Sequence, residues 1–174
     1  MPIRALGEFR PVIDESAWIS ETAYIVGNVQ VGAGSTVWPG AVLRGDFGSI
    51  RIGAHVHIED NCVAHSGAAM TIGDDVTIGH GAIVHCGAIG DVCLIGNNAS
   101  LLDGARIGSF CVVAAGAVIL PGTEIPDGSF VTGVPGTVRP LSPKHRAMLE
   151  GQRDAGKGGG GYSTMAQRYR DAGL

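Results

Sequence analysis

The chain has 174 residues, enough for one substantial domain with an appendage. Charged residues make up 16% and aromatics 5%, while glycine occurs 29 times, which excludes a core built on large rings and favours small and β-branched side chains in a repetitive arrangement. A net charge of −4, with no run rich in lysine or arginine, argues against nucleic acid or an anionic membrane as the main partner.

The N-terminus lacks an apolar stretch of signal-peptide length, and no segment is long and apolar enough to span a bilayer, so a cytoplasmic protein is expected. The four cysteines, Cys62, Cys86, Cys93 and Cys111, include no C-x-x-C pair and are expected to remain reduced.

From Ile13 an aliphatic residue falls at every sixth position, through Ile19, Ile25, Val31, Val37 and Leu43. The phase breaks at Gly45-Asp-Phe-Gly-Ser, resumes at Ile52, Ile58 and Ala64, breaks again around Ser66 to Met70, and resumes at Ile72, Ile78 and Val84. One residue is then dropped, and the beat runs without fault from Ile89 to Val131. The fourth residue after each anchor is nearly always small, as at Ala23, Ala41, Cys62, Ala68, Ala82, Ala88, Cys93 and Cys111. A helix would need apolar residues at 3.6-residue spacing and a half-exposed strand strict alternation; neither fits. One bulky and one small inward position per six residues fits a coil of three short strands, with residues 18 apart stacked roughly 4.8 Å from each other.

Twenty hexads predict about seven coils of an all-β, left-handed parallel β-helix over residues 13–136. Residues 1–12 are expected to form a lead-in strand, and residues 137–174 a C-terminal helical segment. There, Ser142-Pro-Lys-His-Arg-Ala-Met-Leu-Glu reads as a capped helix. Gly156 to Gly161 reads as a flexible break, followed by a second short helix with Tyr162, Met165 and Tyr169 along one side.

The hexad register also says where side chains point, because the residue after each anchor faces outward. His65 follows Ala64 and His85 follows Val84, three anchors on, so the two share one face a coil apart. Arg44, after Leu43, lies on that face one coil lower. His80, two after Ile78, belongs to the preceding face, with Asp60 one coil below it. Two imidazoles one strand apart can chelate a metal ion, and His80 would complete the site most easily from a neighbouring molecule. A closed threefold assembly supplies that neighbour and gives three equivalent sites. Three histidines with a fourth position left to water is the pattern of catalytic zinc, which makes hydroxide available near pH 7. Three imidazoles also suit iron and cobalt. The same residues can equally be unrelated surface histidines on a glycine-rich prism. His55, His57 and His145 read as ordinary surface residues, and Cys86, beside His85, is the one cysteine near the cluster.

Trp38-Pro-Gly-Ala-Val-Leu-Arg-Gly-Asp46, Ile58-Glu-Asp60, Val63-Ala-His65, Ile78-Gly-His80, Val84-His-Cys-Gly87, Leu94-Ile-Gly and Leu102-Asp-Gly-Ala resemble the γ-class carbonic anhydrases and their close bacterial homologues, over roughly residues 10–140. The resemblance implies a homotrimer with one Zn2+, or alternatively Fe2+ or Co2+, at each subunit interface. His65 and His85 would come from one subunit and His80 from the next. It implies reversible hydration of CO2 to bicarbonate through metal-bound hydroxide, with Arg44 and Asp46 fixing the geometry. Asp60 would be an interface acid facing Arg44 of the neighbour. Glu59 stands where the family has a glutamine that hydrogen-bonds the hydroxide; a carboxylate accepts that proton but does not donate as an amide does. Tyr162 resembles a tyrosine that a C-terminal helix places near the site in short members. Alternative readings are metal-dependent hydrolysis of acyl-CoA thioesters, as in related hexapeptide proteins, and a catalytically weak or structural metal-binding trimer.

Overall fold

The computed structural model describes residues 3–157 and 161–174. The hexads wind into a triangular prism of parallel strands, most of them two or three residues long. Successive coils pair in register: Leu43 lies opposite Ala64, Ala64 opposite Val84, Val84 opposite Leu101, and Leu101 opposite Ile119. Each of these side chains is buried, and so is every other anchor except the partly buried Ile13. The strands are short because the chain must turn at every corner. At one corner the turn residues Gly40, Asn61, Gly81, Asn98 and Gly116 all have φ between 57° and 73°, a left-handed conformation that glycine and asparagine adopt at little cost.

Two strands are much longer than the rest. Tyr24–Val31 and Val42–Ile52 each run across an edge and contribute to two faces, with a register shift between Gly27 and Val29. The two interruptions of the hexad beat stack on each other. A Cβ on Gly48 would lie 1.9 Å from the Ala68 carbonyl oxygen, so the bulges nest only because residue 48 has no side chain. Residues 42–44 therefore pair with 63–65, and 50–52 with 70–72, and the phase survives both bulges.

The sequence expectation for the small inward slot needs two corrections. Ala68 is exposed, and Met70 is buried among the core side chains near the bulge instead. Ala88 is only half-buried, because loss of one residue after Val84 turns Cys86 inward in its place.

The third face, carried by Trp18–Ile19, Thr36–Val37, His57–Ile58, Thr77–Ile78, Leu94–Ile95, Val112–Val113 and Ser129–Thr132, is the one the helices cover. Helix α1 (Pro143–Lys157) begins where Ser142 Oγ accepts the His145 N–H at 3.2 Å. It seats Leu149 against Val92 and Val112 and stacks Arg146 over the Phe110 ring. It continues through Gly156 and Lys157, farther than the sequence suggests; the rest of the expected break, residues 158–160, lies outside the described residues. Helix α2 (Tyr162–Asp171) lies farther along the same face, toward the first coils. It packs Tyr162, Ala166 and Tyr169 onto Trp18 and Trp38. Met165, expected on that side, is 40% exposed. Arg170 donates to the Ser16 and Ala17 carbonyls and holds the end of α2. Among the described residues no helix is long and apolar enough to cross a membrane.

Candidate metal centre

On the first face the strand at Val42, the strand Val63–His65 and the strand Ile83–Val84 are neighbours. Arg44 lies opposite His65, and the pairing of Ala64 with Val84 brings His85 beside it. The two imidazole centroids are 5.1 Å apart. Gly45 lets the strand Val42–Ile52 pass close to Asn28 on the neighbouring one, since a Cβ there would meet the Asn28 carbonyl oxygen at 2.7 Å. Two residues apart in the same strand, the Arg44 guanidinium pairs with Asp46. The second oxygen of Asp46 lies 2.9 Å from His65 Nε2. Desolvation works against ionisation of Asp46, but the hydrogen bonds from Arg44 and His65 and the charge of Arg44 hold its carboxyl below the ordinary value.

His85 has a carboxylate of its own. Its Nδ1 is 3.0 Å from Asp103 Oδ1. No role for Asp103 emerges from the sequence reading: the residue dropped after Val84 sets Leu102, not Asp103, opposite His85, and Asp103 reaches the ring from the next position along the chain.

The other half of the site lies where the third face turns toward the first. The pairing of Ile58 with Ile78 sets Glu59 and Asp60 beside His80. His80 Nδ1 is 3.1 Å from Asp60 Oδ2, and its Nε2 is 3.1 Å from Glu59 Oε2, which also accepts the His80 backbone N–H. Glu59 is buried, and its Oε1 accepts the Tyr162 O–H from α2. Desolvation, and then the hydrogen bond to Glu59, push the Tyr162 phenol well above its usual range, so it stays a donor. Beneath Tyr162, at 4.7 Å between centroids, lies His57. Trp38 Nε1 donates to Thr36 Oγ1, which bonds to His57 Nδ1. Burial, reinforced by His55, pulls the His57 pKa down to about 4, so this residue is a neutral core histidine and not the surface residue expected. Trp38, Tyr162, Met165 and Tyr169, with Glu59, Asp60 and His80, enclose a pocket of about 420 Å³.

Within one chain the expected ligands thus form a pair and a separate third member. Among the described residues no three His, Cys, Asp or Glu side chains gather into a metal-binding group. The donors nevertheless suit a metal shared between chains. On both His85 and His80 a carboxylate sits at Nδ1, which leaves Nε2 as the coordinating nitrogen. A bound ion would displace the contacts that Nε2 of His80 and of His65 make with Glu59 and Asp46. Arg44 and Asp60, expected to face each other across an interface, each have a partner in their own chain, Asp46 and His80. Cys86 faces the core and not the cluster, and burial drives its thiol pKa up to about 12.

A family model described as "Bacterial transferase hexapeptide (six repeats)" matches residues 10–45 and 87–121. A "Gamma carbonic anhydrase 1, mitochondrial" of Arabidopsis thaliana is 35% identical over 168 residues, covering 91% of this chain and 59% of the plant protein, so the chain spans under two thirds of that relative. A "Probable carbonic anhydrase" of Methanocaldococcus jannaschii is 46% identical over 129 residues, 73% of this chain and 81% of the archaeal one. Among solved structures, a hexapeptide transferase family protein from Anaplasma phagocytophilum superposes with a TM-score of 0.85 at 30% identity, covering 95% of this chain and 96% of that one.

Proposed function

The chain belongs to the γ-carbonic-anhydrase-like proteins of the hexapeptide-repeat class, and on that premise we propose that it hydrates CO2 reversibly at a metal ion held between two subunits of a trimer. The observation that carries this reading is the pair His65 and His85, 5.1 Å apart on adjacent strands, with Asp103 fixing the ring of His85. When bound, zinc (or iron or cobalt) is a Lewis acid that makes water acidic enough to yield hydroxide near neutral pH.

The chain's own residues then have separable tasks. Asp103 and Asp60 hold the Nδ1–H of His85 and His80 and so fix both ring orientation and tautomer. Arg44 holds Asp46 beside the histidine pair, and Asp46 engages His65 Nε2 until a metal ion takes that nitrogen. Glu59, buried and fed a hydrogen bond by Tyr162, is the proton acceptor aimed into the site. The outward residues Val42, Val63 and Ile83 form an apolar row in register with the histidine row, which supports this face as the one that packs on a second copy. In the trimer Arg44 exchanges part of its contact with Asp46 for Asp60 of the neighbour.

Stopped-flow CO2 hydration on zinc- and iron-loaded protein tests the reading. His65→Ala, His80→Ala and His85→Ala are each expected to lose both bound metal and activity. Metal-loaded wild type no faster than His80→Ala sinks carbonic anhydrase activity, and cleavage of an acyl-CoA panel by the same preparation would assign thioester hydrolysis instead.

A further inference from the structure

Phe47 is 79% exposed in a chain with few aromatic residues. It follows Asp46 directly, and its backbone N–H donates to Asp46 Oδ1 at 3.0 Å. Its ring stands edge-on to His65, 6.1 Å between centroids. Its place is therefore tied to the half of the site that holds His65 and His85. The other half of the site borders the pocket walled by Trp38, Tyr162, Met165 and Tyr169, whose rim carries His80 and Asp60.

The two features sit at different edges of the prism. Phe47 is in the bulge of the strand Val42–Ile52, which crosses from the first face to the second, whereas the pocket lies where the third face turns into the first. If a second copy delivers His80 to His65 and His85, it delivers the pocket beside His80 to the ring beside His65. We propose that Phe47 of each subunit seats in the aromatic pocket of the next copy of this chain and locks the two halves of the metal site together. Charge agrees with the fit: Arg44 accompanies Phe47, and Asp60 stands on the pocket rim, with side chains 42% and 39% exposed. This proposal rests on the split-site reading above, and goes beyond it by naming the contact that sets the docking.

The fold of the single chain tolerates substitution at both positions, because Phe47 and Met165 are exposed there, and all four native cysteines are buried and so give little background. Chains carrying Phe47→Cys and chains carrying Met165→Cys, with tags of different size, are assembled together, oxidised and run on a non-reducing gel. A mixed-size crosslinked dimer, absent from either variant alone, is the expected result. Light scattering and metal analysis of the same samples separate the two ideas. An assembled, metal-loaded trimer without the mixed crosslink overturns the Phe47 lock and leaves the split site standing, whereas a metal-binding monomer overturns both. Independently, Phe47→Ala is expected to raise the concentration at which the trimer dissociates by about tenfold or more, because each copy loses one buried ring. An unchanged dissociation midpoint overturns the proposal.

Discussion

An imidazole that binds a metal through one nitrogen works best when its other N–H is held, because the partner fixes both tautomer and ring plane. Asp103 stands in that relation to His85, although its own side chain is largely exposed in the single chain. Asp103→Ala is expected to weaken zinc binding about 10- to 100-fold, with Asp103→Asn recovering part of the loss through its amide oxygen. Competition with a chromophoric chelator measures this, and unchanged affinity would remove Asp103 from the site. His57 has the opposite character. Its folded pKa of about 4 lies below the unfolded value of about 6.5, so protons bind the unfolded chain more strongly between these limits. The neutral ring is fully accommodated above pH 6.5, and stability falls as pH drops toward 4, by about 3 kcal/mol at most. Urea midpoints at pH 7 and pH 4.5 should therefore separate more for wild type than for His57→Gln. His55 and His57 are two residues apart, but His55 stands at a corner turn with φ of 53° whereas His57 lies in the strand that Tyr162 of helix α2 covers. Sequence register could place His65 beside His85 and Asp60 beside His80, but it could not foresee that cover.

Helix α2 shows what an element contributes when its partners are distant in the chain. Tyr162 reaches Glu59 across 103 positions, and Tyr169 packs on both tryptophans, Trp18 and Trp38. Tyr162→Phe preserves the ring packing but leaves the Glu59 oxygen buried without its donor, which should cost about 1–3 kcal/mol with little change in tryptophan emission. Ending the chain after residue 157 should instead expose both tryptophans, the only two present, and shift their emission to the red. Full-length emission unaltered by that truncation would mean α2 does not pack as described. The strands were legible because each inward anchor repeats at fixed spacing and stacks on its like. Where the spacing failed, so did the reading: Met70 rather than Ala68 and Cys86 rather than Ala88 point inward. The helices were visible as amphipathic segments, but a periodic pattern carries no information about which of three similar faces they cover.

At the scale of the whole molecule the prism keeps His80 off the face that carries His65 and His85, and the proposed closed ring would turn this separation into a rule of assembly. In the trimer we propose, each site would take its pair from one subunit and its third ligand from the next. A His65→Ala chain can still offer His80, and a His80→Ala chain can still offer the pair, yet neither alone can build a complete site. A mixed ring of three has a single junction at which a subunit with the intact pair meets, in the correct order, a subunit with the intact His80. Equal amounts assembled at random put about three quarters of the rings in the mixed class, each with one good site in three, so about one quarter of the wild-type metal should return. Metal analysis after co-refolding, with each parent refolded alone as the baseline, measures the recovery. A site built within one chain would return nothing on mixing, because every chain would still lack one ligand. Recovery near one quarter, appearing only in the mixture and bringing CO2 hydration back in the same proportion, would tie metal, assembly and catalysis to the same junction.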